Sequence, residues 1–186
     1  MSGATKTVLV TGFGPFPGMT HNPTLDLVRA LHGREVNGVR FVATELPVSY
    51  RRGPEVALAS IQAHRADAVL GFGVSKGLTR PQVETCGRWV PEGRVDIEGQ
   101  TATLLDGDLA DAELCVPATW PAGPLAAALG VSTSDDAGTY VCNAWLYQVA
   151  SKAKVPAGFV HVPESGADPD AVAEAVAKAL PSTLLA

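Results

Sequence analysis

Residues 67–73 read Asp67–Ala68–Val69–Leu70–Gly71–Phe72–Gly73. From Ala68 on the run is apolar or small, shows no polar alternation, and is closed by glycine. That pattern marks a strand buried on both faces, as in a parallel sheet covered by helices. Val8–Leu9–Val10–Thr11, which stops at Gly12, is a second segment of the same kind. Val155 to Val162 is a third, with His161 at its end. Arg40 to Pro47 is a further strand candidate, closing on Leu46–Pro47.

Helical patterns fill the intervals. Asn22 is placed to cap a helix whose first turn holds Pro23, and Leu25, Leu27, Val28 and Leu31 give it an apolar face. Tyr50 to Arg65 reads as a helix on Val56, Leu58, Ile61 and Ala63. Asp168 opens a last helix that runs through Leu180, with Pro169 in its first turn. Strand, helix, strand, helix, strand is the βαβ rhythm. It predicts an α/β fold, a single-domain α/β/α sandwich over residues 1–186 with a mostly parallel twisted central sheet. Ligands of such sheets collect beyond the C-terminal ends of the strands, which directs attention to the loops after Thr11, Pro47, Gly73 and Val160. Pro91 to Gly130, rich in Gly, Pro and Ala, is read as loops, an edge hairpin and a short helix at Leu125 to Leu129.

Composition narrows the class. The chain has 186 residues, 14 basic and 19 acidic side chains, and a formal net charge of −5. This mild acidity argues against nucleic acid, whose phosphates call for clustered Lys and Arg. The longest apolar runs fall far short of the ~20 residues that cross a bilayer, and Met1 to Thr7 carries no apolar signal core. Three cysteines are too few for a disulfide framework, so free thiols and a cytoplasmic setting are expected.

Cys142 stands out among the three. It lies in Ala137–Gly138–Thr139–Tyr140–Val141–Cys142–Asn143, a small-residue loop leading into the helical spacing of Ala144 to Val149. Near a helix N-terminus, free amides and the helix dipole favour a thiolate, and the same amides could hold an oxyanion. A small buried hydrophobe is the competing reading of any free cysteine. Cys86 and Cys115 lack that context and read as structural. A thiolate nucleophile needs a histidine base close in space. Of the four histidines, His161 at a strand end suits that role best; His32 and His64 end helices beside charges, and His21 sits in a Gly/Pro loop. Glu84, in Gln82–Val83–Glu84, is the candidate for the carboxylate that orients an imidazole; otherwise it is a surface glutamate. The loop from Gly12 to Gly18 fails the dinucleotide spacing G-x-G-x-x-G by one residue, and its prolines lack amides. Phe13 and Phe16, read as exposed in that rigid loop, better suit an apolar pocket for a small ligand. No Cys/His cluster has metal-ligand spacing.

These segments together resemble the pyroglutamyl peptidase I (pyrrolidone-carboxylate peptidase) family of cysteine peptidases. Thr11–Gly12–Phe13–Gly14–Pro15–Phe16 with Asn22–Pro23 is similar to the family's T-G-F-x-P-F…N-P. Leu46–Pro47–Val48 is similar to its L-P-V, and Gly73 through Glu84 has the spacing of its G-x-x-x-G-x-T…V-E stretch. Residues 137–143 resemble A-G-T-[FY]-V-C-N, and Gly158–Phe159–Val160–His161–Val162–Pro163 resembles G-F-[IV]-H-[VI]-P. The resemblance implies hydrolysis of the N-terminal pyroglutamyl residue of peptides, without metal or cofactor. It implies a triad of Cys142, His161 and Glu84, and a ring pocket of Phe13, Phe16, Tyr140 and Val141, with Asn22 nearby. It also implies an active-site role for Arg94, and homo-oligomers such as dimers or tetramers. Two positions depart from it. The family's substrate-contacting glutamine is Val74 here, and the arginine after its glutamate is Thr85. These departures imply slower turnover or altered acyl specificity, and the alternative of a weakly active or non-catalytic pyroglutamate-binding paralogue. Phosphorolysis of a nucleoside on a similar scaffold is a third reading, against which the proline-rich first loop argues.

Overall fold

The computed structural model describes residues 4–90, 94–102 and 115–184. In chain order the elements are β1 (Lys6–Phe13), α1 (Pro23–Leu31), β2 (Glu35–Val36), β3 (Val39–Leu46), α2 (Arg52–His64) and β4 (Ala68–Val74). Then follow β5 (Gln82–Glu84), β6 (Cys86–Arg88), β7 (Cys115–Pro117), α3 (Ala122–Leu129), β8 (Ser132–Ser134), α4 (Val141–Lys152), β9 (Ala157–Val162) and α5 (Pro169–Lys178). Seven strands form one sheet in the order β2-β3-β1-β4-β9-β5-β8. The four central strands β3, β1, β4 and β9 run parallel, β2 pairs antiparallel with β3 and β5 with β9, and β8 runs parallel to β5.

The apolar strands form where the sequence places them because each is covered twice. Side chains alternate along a strand, so Val8 and Val10 of β1 join one core with Leu70 and Phe72 of β4, Val160 of β9, and the apolar faces of α1, α3 and α5. Leu9, Val69 and Phe159 point the other way, into a second core with Ile61 of α2 and Val141, Trp145 and Val149 of α4. The result is the expected α/β arrangement with a mostly parallel central sheet. Asn22 caps α1 as its sequence suggests, its side chain accepting from the Thr24 amide at 3.1 Å.

Three expectations are corrected. Phe13 is not in an exposed loop: β1 continues two residues past Thr11, and the period of two that buries Leu9 buries Phe13 in the same core, at 3% exposure. Phe16 is half-buried. Cys86 and Cys115 are not free thiols but a disulfide that joins β6 to β7, so free thiols at these positions no longer bear on the compartment. The edge pairing near 91–130 is between β6 and β7, and only β7 lies in that segment; residues 91–93 and 103–114 lie outside the described residues. Among the described residues, no helix is long and apolar enough to cross a membrane.

Candidate active site

Cys142 is the second residue of α4, one position inside the first turn. The helix begins earlier than the spacing from Ala144 suggests, and no side chain caps it. Its first amides are therefore open beside the sulfur. The approach to the helix is set by Gly138, at φ +79°, and by Asp136, whose Oδ1 accepts from the Gly138 amide at 2.9 Å. Asn143, next to the cysteine, is locked to β6: its Oδ1 accepts from the Arg88 amide at 2.8 Å and its Nδ2 donates to the Arg88 carbonyl at 2.7 Å.

The sheet supplies the partners. His161 on β9 lies opposite Gly73 of β4 on one side and Gln82 of β5 on the other. It shares the strand face of Phe159, which is the face α4 covers. Gly73 has no side chain because Cys142 occupies that space: a Cβ there would stand 2.6 Å from Sγ. Glu84 sits opposite Phe159, diagonal to His161, and its Oε1 is 2.7 Å from His161 Nδ1. Both are buried, at 1% and 6% exposure, so Glu84 is not a surface glutamate. With Nδ1 on the carboxylate, Nε2 is the ring nitrogen left for the cleft that His161 and Cys142 both line. Burial alone would push the imidazole pKa down, but the hydrogen bonds to Cys142 and Glu84 and their negative charges outweigh it and raise it to about 9.

Two cavities meet at Cys142. A cleft of about 470 Å³ is lined by Phe16, Lys76, Arg94, Asp136, Cys142 and His161, among others. A slot of about 40 Å³ lies against Phe13, Phe16, Asn22, Val48, Tyr140 and Val141, and Val74 borders both. All six pocket residues predicted from the sequence therefore converge on the cysteine. Arg94 packs its guanidinium 4.5 Å from the Tyr140 ring centre and 5.9 Å from that of Phe16. Thr85 does not line either cavity; its hydroxyl donates to the Ser134 carbonyl at 3.1 Å. The remaining histidines lie elsewhere: His21 faces Asp26 at 2.8 Å, and His32 Nδ1 accepts from the Ala43 amide at 3.0 Å.

Some supports have no simple local signature. Asp96 is buried and anchors the segment that carries Arg94. Its Oδ2 accepts from the Tyr50 amide at 3.0 Å, and its Oδ1 from those of Glu98 and Gln100 at 2.8 and 2.9 Å. The Tyr50 hydroxyl donates to the Arg94 carbonyl at 2.7 Å. Burial first, then the nearby Tyr140 and Asp96, lift its pKa to about 12, so it stays a donor. The signal available for Asp96 is an Asp two residues after a flagged arginine in a Gly-rich stretch. Among the described residues no group of three or more His, Cys, Asp or Glu is arranged to hold a metal ion.

The family model for pyroglutamyl peptidase matches residues 6–186. The pyrrolidone-carboxylate peptidase of Erwinia tasmaniensis is 31% identical over 166 residues, covering 85% of this chain and 78% of its own. That of Escherichia fergusonii is 31% identical over 97% of this chain and 92% of its own. The crystal structure of pyroglutamyl peptidase I from Bacillus amyloliquefaciens superposes with a TM-score of 0.81 at 25% identity, over 95% of this chain and 96% of that one. A match of this length, carried in sequence and in fold, means that the chain belongs to the pyroglutamyl peptidase family of cysteine peptidases.

Proposed function

We propose that the protein hydrolyses the amide bond after an N-terminal pyroglutamyl residue, with Cys142 as nucleophile, His161 as acid–base and Glu84 as the group that holds the imidazole. The observation that carries this reading is the buried His161–Glu84 pair at 2.7 Å, placed beside a cysteine in the first turn of a helix. The Cys142 sulfur attacks the acyl carbonyl, and His161 takes up the thiol proton. The open amides at the start of α4 receive the oxyanion. His161 then protonates the leaving amine, and the acyl group remains on sulfur as a thioester. Water, deprotonated by His161, releases the acid and restores the thiol.

The acyl ring enters the slot and the rest of the peptide leaves through the wide cleft, where Arg94 and Tyr140 form one wall. This division suits an enzyme that recognises a small terminal group and tolerates varied leaving peptides. The complete set of Cys142, His161 and Glu84 favours catalysis over pyroglutamate binding without turnover. Residues 1–186 are read as one domain. The test is release of a chromogenic amine from a pyroglutamyl anilide by wild type and by Cys142→Ala. Wild type turns over and the variant does not; equal rates would remove Cys142 from the mechanism.

A further inference from the structure

The wide cleft differs in charge from the rest of the chain. The formal net charge is −5, yet Lys76 and Arg94 line the cleft against one carboxylate outside the Glu84–His161 pair, that of Asp136. Glu84 is 1% exposed, and its charge is met by His161 at 2.7 Å. Asp136 turns Oδ1 to the Gly138 amide at 2.9 Å. A second cavity of about 400 Å³ shares Gln82 with the cleft and adds Arg80, with no carboxylate among the described residues of its walls.

Both cleft cations sit on fixed supports and keep their charge for a ligand. Lys76 lies in the loop after β4. There the Ser75 amide donates to the Val162 carbonyl at 2.9 Å and the Leu78 amide to the Ser75 carbonyl at 3.4 Å, with Gly77 at φ +87° between them. Lys76 is exposed and, among the described residues, has no ion pair. Arg94 is held against the Tyr140 ring at 4.5 Å, and it too has no ion pair among the described residues. A ring face holds a guanidinium without neutralising it. Cys142 and His161 line the same cleft, so the residues that follow the scissile amide meet these two cations first.

We infer, resting on the hydrolytic reading above, that the cleft is an anion subsite for the leaving peptide, with Lys76 as a specificity-determining residue. The protein prefers leaving peptides that place a carboxylate just beyond the scissile bond, from an acidic side chain or from the chain end of a short peptide. A cleft in which one sign of charge dominates focuses the field and draws in substrate of the other sign. The subsite touches neither the ring nor the reacting atoms. Its contribution is the same in the bound substrate and in the transition state, so it lowers KM and leaves kcat. An exposed ion pair adds roughly 1.4- to 5-fold, and two together about 2- to 30-fold. The tolerance for varied leaving peptides is thus graded by their charge.

The experiment measures kcat/KM at low ionic strength on amide-capped pyroglutamyl-Xaa-Xaa peptides, with Xaa as Glu, Gln or Lys, and on the Gln peptide with its terminal carboxylate free. The expected order is Glu above Gln above Lys. Glu should exceed Gln by about 2- to 30-fold, through KM, and the difference should collapse in 1 M salt, where the screening length is about 3 Å. A gain of Glu over Gln assigns the recognised carboxylate to the side chain, and a gain of the free acid over its amide assigns it to the chain end. Lys76→Glu, a charge reversal at an exposed position, should abolish or invert whichever gain is seen. Absence of both gains overturns the inference and leaves pyroglutamyl hydrolysis standing, as does a gain that neither salt nor Lys76→Glu moves. Titration of the same peptides onto Cys142→Ala reads binding without turnover. Tighter binding of the carboxylate-bearing peptides there supports the subsite even if the wild type cleaves none of them, in which case the hydrolytic reading alone falls. Equal binding overturns the subsite.

Discussion

The contact between Gly73 and Cys142 offers a narrow way to test how the cysteine is held. A Cβ built on Gly73 would stand 2.6 Å from Cys142 Sγ and 2.8 Å from Phe159 Cζ. Ordinary contact begins at 3.4 Å, so Gly73→Ala forces a separation of at least 0.8 Å between sheet and sulfur. The ring cannot absorb it. Phe159 is fully buried, with Trp145 at 5.4 Å and His161 at 5.1 Å between ring centres. The sulfur or the start of α4 must move instead, and a misplacement near 1 Å costs roughly 10²-fold in rate. Overpacking of this kind also destabilises by about 1–3 kcal/mol, which for a chain of this size lowers Tm by about 2–12 °C.

Gly71→Ala is the matched control. Its Cβ would meet Phe159 Cδ2 at 2.6 Å and Trp145 Cζ3 at 2.8 Å, with the cysteine sulfur absent from its nearest contacts. Both variants are expected to lose similar stability by thermal denaturation. Only Gly73→Ala should lose about two orders of magnitude in kcat/KM on a pyroglutamyl anilide, measured well below its Tm. Activity of Gly73→Ala within threefold of wild type, or equal losses in the two variants, would refute the argument that Gly73 seats the sulfur.

The His161 imidazole sets an alkaline limit. Its pKa is raised from 6.5 to about 9, so the cation persists at neutral pH and is lost as pH rises through 9. The stability that the raised pKa contributes should be full below 6.5 and be lost as pH rises through 9, and Glu84→Gln should move that alkaline limb to lower pH. An unchanged limb in the variant would show that another group sets it. Asp96→Ala leaves the amides of Tyr50, Glu98 and Gln100 without their acceptor. A loss of about 3 kcal/mol in denaturant unfolding is expected, with a KM increase larger than any fall in kcat because Arg94 loses its anchor; a change in kcat alone would count against this. Thiol titration of the unreduced, denatured chain should find one thiol, from Cys142, and a count of three would contradict the Cys86–Cys115 bond. Cys86→Ser opens a loop of sequence separation 29 and should cost roughly 3.5 kcal/mol in the chain-entropy account.

The long apolar strands were legible because burial on both faces leaves few polar residues in them. β4 is bounded within a residue at each end by its own sequence, Asp67 to Gly73 against Ala68–Val74. Cys142 was legible for a local reason too, since small residues followed by helical spacing announce a helix start. β5 and β8 were not, because three residues are too few to show a period. Phe13 was misjudged by stopping the strand at Gly12, although the alternation Leu9, Thr11, Phe13 carries through it. The disulfide and the anchoring by Asp96 join segments whose proximity depends on how the chain crosses itself. No local pattern encodes that.

Glu84 shows the limit most clearly. Alone in sequence it is an ordinary glutamate, and its burial depends on a histidine 77 residues away. Its second oxygen, Oε2, is buried with no hydrogen-bond partner among the described residues. An unsatisfied buried polar atom costs about 1–3 kcal/mol, so the fold loses stability at this point. A carboxylate left in water would orient the imidazole less firmly, since screening weakens the interaction that raises the His161 pKa. Cost and use thus fall on the same side chain, the pattern expected of a site shaped by its chemistry rather than by packing.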